Sequence, residues 1–246
     1  MRLITRRLLT TFHKTLVRLS RMNKDMDNIV NLHDGDLEKH LHRASESLLN
    51  GNIIAVPTDT IYGIAGLAQN SDAIRRIYDI KKRDLNNPIA ISVGNVEDFY
   101  KWSKVVVPQD LLRDLLPGPV TIVLERSNDL NPDLNPGKSL VGIRIPNHPF
   151  IIKLVQKCGG PIALTSANIS AARSTLNVQE FQELWHRLDV ICDGGQLGAT
   201  EFARKGSTVI DLSMKGKYRI IRPGSAQKET VQVLEKYDLV EYTENT

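Results

Sequence analysis

The sequence predicts one α/β domain, and three observations carry that reading. Apolar runs of four or five residues alternate with amphipathic segments of about ten, the pattern of strands separated by helices. No internal repeat or low-complexity run divides the 246 residues, a length that one large domain accommodates. A hydrophobic fraction of 41% with 24% charged residues suits a soluble globular chain.

The elements follow in order. In "DLEKHLHRASESLLNGN", Leu37, Leu41, Ala44 and Leu48 recur at helical spacing and Gly51 supplies the stop. "IIAV" reads as a buried strand ending at Pro57. After a glycine-containing segment, "SDAIRRIYDIKK" sets Ala73, Ile74, Ile77 and Tyr78 on one helical face. "IAISV" is the next strand, followed by short helices at "VEDFYKW" and "PQDLLRDLL", then strand "VTIVL". "ERSNDLNPDLNPGKS" is the longest loop. Strand "VGIRI", helix "PFIIKLVQKC", strand "PIAL" and helix "NVQEFQELWHRL" succeed it. "DVIC", "STVIDL" and "YRIIR" are further strands, and "KETVQVLEKY" is a final helix. The pattern does not order the strands, and a mixed sheet is as permissible as a parallel one.

The net charge of +4 divides unevenly. Residues 1–24 hold seven Lys or Arg and no acid, leaving 25 basic and 28 acidic residues beyond them. A protein that binds bulk phosphate backbone keeps its basic surplus in the folded body; here the surplus is a tail. Its Arg-rich, acid-free amphipathic character is that of a mitochondrial presequence, with a basic arm or a surface-membrane helix as the other readings. Met22 and Met26 offer later starts, so the expected location is both mitochondrion and cytoplasm. Cys158 and Cys192 stand apart and the six histidines do not cluster, which gives neither a disulfide framework nor a metal clip. "NPGKS" lacks the first glycine of a phosphate loop, Pro132 standing in its place. No GxGxxG, GxSxG or HExxH pattern is present.

Four polar loops can carry chemistry. "PTDTIYG" offers the hydroxyls of Thr58 and Thr60 around Asp59, for ligand binding or for local capping. "YDIKKRDLNNP" crowds cations at a helix end, where the dipole alone favours them. Lys81 and Arg83 there can also point together at an anion once the helix unwinds. Arg144 interrupts the apolar strand "VGIRI", and alternation sets it opposite Val141 and Ile143; ion pairing and anion binding are equally open to it. "LTSANIS" is a dense donor–acceptor loop, and Ser207 and Arg222 stand at further strand edges.

Taken in order, "PTDTIYGIA", "KKRDLNNPIAI", "LLPGPVTIVL", "VGIRIPNHP", "LTSANIS", "GSTVIDL" and "IIRPG" resemble the YrdC/Sua5 family of threonylcarbamoyl-adenylate synthases. The likeness spans residues 37 to 235. It implies a single twisted mixed-sheet YrdC-like domain at 33–235 with a large cationic cavity, between the basic tail 1–24 and a short acidic tail 236–246. It also implies synthesis of L-threonylcarbamoyl-AMP from L-threonine, bicarbonate or CO2, and ATP, with Mg2+ accompanying ATP and pyrophosphate released. The product would feed the complex that transfers threonylcarbamoyl to adenosine 37 of ANN-decoding tRNAs.

Carried over by motif, the resemblance implies that Lys81 and Arg83 are catalytic and that Thr60, Arg144 and Ser207 bind substrate. Arg83, Asn87, Ser166, Asn168, Ser174 and Arg222 then bind ATP. Relative to longer members, the motifs end without a further C-terminal domain. Asp84 stands where many members have Pro or Ser. The reading from another class is a noncatalytic double-stranded-RNA binder or regulatory protein. Weak membrane association through the tail is a further expectation, and direct tRNA contact is left open.

Overall fold

The computed structural model describes residues 27–82, 87–170 and 172–243. The basic segment 1–24, Arg83, Asp84 and the last three residues of the acidic tail lie outside the described residues.

Along the chain, the strands are β1 Ile29–Asn31, β2 Ile54–Val56, β3 Gly63–Leu67, β4 Ala90–Ser92, β5 Ser103–Lys104 and β6 Val120–Arg126. They continue as β7 Leu140–Arg144, β8 Ile162–Ser166, β9 Val190–Asp193, β10 Thr208–Asp211, β11 Lys217–Arg222 and β12 Val240–Glu241. Their lateral order is β1-β9-β2-β3-β8-β4-β7-β6-β10-β11-β12, with β5 added beside β6. The sheet is mixed. β4 runs parallel to β7 and β6 parallel to β10, while β3, β8 and β4 are successively antiparallel. The outermost strands β1 and β12 lie beyond residues 33–235.

Local chemistry sets the helix ends. Asp36 and Asn70 accept from Lys39 N at 3.3 Å and Ala73 N at 3.0 Å, capping helices Leu37–Leu49 and Ser71–Lys81. The second helix stops where Lys82 turns left-handed, with φ 47°. Helix Pro149–Cys158 begins on proline and ends at left-handed Gly159.

Strand alternation divides the core in two. On one face Ile64, Ile91, Ile122, Ile143 and Ile210 pack with Ile74, Ile77, Phe99, Leu111 and Leu234 from helices. On the other, Ile54, Val56, Ala65, Ile162 and Val190 meet Leu41, Leu48, Phe150 and Leu154. Two helices therefore cover this second face over β9, β2, β3 and β8. Beyond β8 the same face carries Ala90, Gly142, Thr121, Val123 and Val209, and these line a cavity.

The expected alternation, amphipathic helices and mixed sheet are thus observed. "NVQEFQELWHRL" forms a 3-10 stretch at Val178–Arg187 in place of a regular helix, because Phe181 departs from helical angles (φ −125°, ψ 31°). Its amphipathic spacing still buries Val178, Phe181, Leu184 and Trp185.

Candidate active site

The cavity encloses about 480 Å³, within the range of roughly 300–1,000 Å³ usual for small-molecule clefts. Its floor is the uncovered sheet face. Gly142 keeps that floor low: a Cβ there would stand 3.1 Å from Thr121 Cγ2. Among the described residues, its charged lining side chains are Lys138, Arg144, Lys205 and Arg222, with no Asp or Glu. Pro88, Ile89, Leu140, Val209 and Ile221 give it an apolar stretch. Such a lining suits a ligand with both an anionic and an apolar part.

Strand β7 delivers Arg144 opposite Val141 and Ile143, as alternation requires. Its Nη2 donates to Asp59 Oδ1 at 2.6 Å, and each side chain is only 9% exposed. Asp59 Oδ2 also accepts from Asn147 N at 2.9 Å. Burial pushes the guanidinium below its ordinary pKa, while Asp59 pulls it up and Arg222 pushes it down. An arginine stays protonated under such shifts. Among the described residues its buried Nε has no hydrogen-bond partner, a donor that a ligand can satisfy. Arg144 is thus both ion-paired and part of the cavity wall.

The "PTDTIYG" turn is organised by Thr58, whose Oγ1 accepts from Thr60 N and Ile61 N and donates to Ile61 O. Thr58 lines the cavity; Thr60 is buried beside it, the two hydroxyl oxygens 3.1 Å apart. His148 stands at the start of the next helix, and burial lowers its pKa.

Lys81 turns inward. It is 1% exposed, and its Nζ donates to Ser166 O at 2.6 Å, Ser166 Oγ at 3.2 Å and Asn168 Oδ1 at 2.8 Å, and also to Asn168 O. The ammonium thus pins the loop after β8, of which Ser166 lines the cavity while Asn168 lies buried behind it. Asn87 is exposed, next to Pro88 of the lining.

Ser174, Ser207 and Arg222 all reach the cavity. Ser207 Oγ lies 2.8 Å from Thr121 Oγ1, and Arg222 Nη2 donates to Ser207 O at 2.9 Å and to its Oγ at 3.3 Å. The structure therefore brings Arg144, Ser166, Ser174, Ser207 and Arg222 to one cavity from five separate chain segments.

Sequence reasoning missed Thr121, Lys138 and Lys205 there. Lys138 belongs to "NPGKS", which makes no phosphate loop yet reaches the cavity from the start of β7. Its long loop is fixed by Arg126, which donates to the carbonyls of Leu130, Asn131 and Leu134, and by buried Asn135, bonded to Ile89 N at 2.7 Å.

Residues 46–224 match the profile of a family designated Sua5_yciO_yrdC and described as "Telomere recombination". The threonylcarbamoyl-AMP synthase of Homo sapiens is 52% identical over 203 residues, covering 81% of this chain and 73% of the human protein. That of Bos taurus is 50% identical over 208 residues, covering 84% of this chain and 75% of its own. Among solved structures, P. abyssi Sua5 complexed with L-threonine aligns at a TM-score of 0.76 and 29% identity, over 87% of this chain and 62% of that one.

Proposed function

The chain belongs to the Sua5/YciO/YrdC family, and on that premise we propose that it makes L-threonylcarbamoyl-AMP from L-threonine, bicarbonate or CO2, and ATP. The observation carrying the reading is the convergence of Arg144, Ser166, Ser207 and Arg222, from separate strands and loops, on one cavity. The human and bovine threonylcarbamoyl-AMP synthases are half identical to the chain, and a threonine-bound relative shares its fold.

The threonine amine attacks CO2 and loses a proton, giving a carbamate. One carbamate oxygen then forms a bond to the α-phosphorus of ATP. The bond from that phosphorus to the α–β bridging oxygen breaks, and pyrophosphate leaves with the electron pair. Both reactants are anions, so the obstacle is repulsion, and a cationic hollow offsets it. We assign that role to Arg144 and Arg222 with Lys138 and Lys205, joined by Arg83. Arg144, Ser207 and the Thr58–Thr60 turn orient threonine, and the 166–168 loop, Ser174, Asn87 and Arg222 hold the nucleotide. Lys81 has its ammonium against the loop oxygens, so its share is to fix that loop.

Magnesium enters as part of the ATP substrate. The described lining offers hydroxyls, carbonyls and cations in place of carboxylates, and no group of three or more His, Cys, Asp or Glu is placed to hold a metal among the described residues. Enclosure protects both the carbamate and the adenylate from water. The product would pass to the machinery that modifies ANN-decoding tRNAs, in mitochondrion and cytoplasm.

Pyrophosphate release is the test. It should require threonine and bicarbonate together, and omitting either should return it to the background of ATP alone. Release indifferent to threonine would reject the proposal.

A further inference from the structure

The cavity wall carrying Lys205, Gly206 and Ser207 is held with little apolar packing. Its 3-10 segment Glu201–Lys205 buries no residue. Phe202 is exposed, with Lys205 Nζ over its ring. Gly206 follows at φ 68°, a left-handed conformation that glycine adopts without strain. With so few apolar contacts, this wall depends on polar tethers for its position.

Ser207 is held by Thr121 and Arg222 and Gly206 O by Ser225 N; Arg204 tethers the segment before them. Its Nη1 donates to Ser174 O and to Glu180 Oε2, both at 2.6 Å, and its Nη2 donates to Glu180 Oε1 at 2.8 Å. The Arg204 side chain is 13% exposed and that of Glu180 30%. Glu180 also accepts from Leu176 N at 2.9 Å, and its pKa is lowered to about 2, chiefly by the Arg204 hydrogen bonds. Glu201 adds a weaker contact to Arg204 Nε at 3.4 Å and pairs with Arg173. The fork is planar and bidentate, so it fixes orientation as well as distance.

The far side of the tether is itself attached to the nucleotide loop. Thr175 Oγ1 donates to Ala167 O at 3.1 Å, and Tyr62 N donates to Thr175 O at 2.9 Å. A shift at Arg204 therefore reaches Ser174 and the segment beside Ser166 on one side, and Lys205 and Ser207 on the other. Arg204 itself is absent from the cavity lining.

We propose that Arg204 and Glu180 form a clasp that sets the spacing of the two cavity walls, with Arg204 a positioning residue for adenylate formation. The role in turnover rests on the threonylcarbamoyl-AMP reading above; the clasp itself is also legible in ATP binding alone.

The test compares wild type with Arg204→Gln, Arg204→Lys and Glu180→Gln in the full chain. ATP affinity is measured by equilibrium titration without threonine, and KM and kcat from threonine-dependent pyrophosphate release. Circular dichroism melting measures the folded fraction. Arg204→Gln should weaken ATP binding and raise its KM by ~10- to 100-fold, the scale on which misplaced binding groups act. Saturating ATP should restore part of the turnover lost at low ATP, and the folded fraction at assay temperature should be unchanged. Arg204→Lys keeps the charge without the fork and should fall between. Glu180→Gln should shift in the same direction by less, because the Ser174 carbonyl still accepts. ATP affinity within twofold of wild type in Arg204→Gln would overturn the clasp. So would a loss of activity that merely follows the folded fraction. Wild type that binds ATP but shows no threonine-dependent release would instead remove the functional reading, and the titrations would still decide the clasp.

Discussion

Replacing Arg144 by alanine should remove most threonine-dependent turnover and weaken the folded state together. The guanidinium is buried in the cavity wall and bonded to Asp59 at 2.6 Å. Its loss strands the Asp59 carboxylate, 9% exposed, with Asn147 N, at 2.9 Å, as its remaining donor among the described residues. Breaking one side of a buried pair costs about 3–5 kcal/mol, and removing one preorganised donor from a reacting site costs roughly 10²- to 10³-fold in rate. The double variant Asp59→Asn, Arg144→Met separates the two effects. With both charges gone it should recover most of the stability, since apolar replacement of a buried pair is often neutral. It should recover none of the activity. Urea unfolding and pyrophosphate release on both variants supply the comparison. A double variant as active as wild type would deny Arg144 any part in catalysis.

Lys81 gives the second large effect. Its ammonium serves oxygens of Ser166 and Asn168 from a position 1% exposed, so Lys81→Ala empties a buried site and takes the charged donor from those oxygens, at about 1.5–3 kcal/mol for each bond lost, although Ser166 O keeps Asn168 N and Asn168 Oδ1 keeps Ser166 Oγ. Lys81→Met keeps the bulk and discards the charge. Both should lower threonine- and bicarbonate-dependent pyrophosphate release by ~10²- to 10³-fold if the loop they free is a preorganised part of the site. In the Met variant, ATP binding should suffer more than threonine binding, because we assign that loop to the nucleotide. Turnover of Lys81→Met within a few-fold of wild type would show that the loop needs no pinning.

These residues also mark how far the sequence could be read. Lys81 looked like a cation at a helix end, and helix Ser71–Lys81 does end there. Only the fold reveals that the side chain points inward, because Ser166 and Asn168 are more than eighty residues away in the chain. Arg144 was legible because a charge inside an apolar strand demands a partner, although Asp59 could not be chosen from spacing. Strand β3, "GIAGL", escaped notice because its Gly and Ala lack the β-branched signature of a strand. It is buried nonetheless between β2 and β8. Strands β5 and β12, of two residues each, are too short to show a period. Thr121 reads as an ordinary strand residue until β10 brings Ser207 to it. Lys138 and Lys205 sit in polar stretches where a lysine carries no local signal, and the fold brings them to the cavity that Arg144 and Arg222 line.

Incubation with 13C-bicarbonate, threonine and ATP reaches the central claim most directly, since it follows the carbon that joins the two substrates. Carbon NMR and mass spectrometry of the quenched mixture should find the label between threonine and AMP, in amounts matching the pyrophosphate released. Pyrophosphate and AMP accumulating with the label still in bicarbonate would mean that the cavity only splits ATP, contradicting the joining of a carbamate to the α-phosphorus.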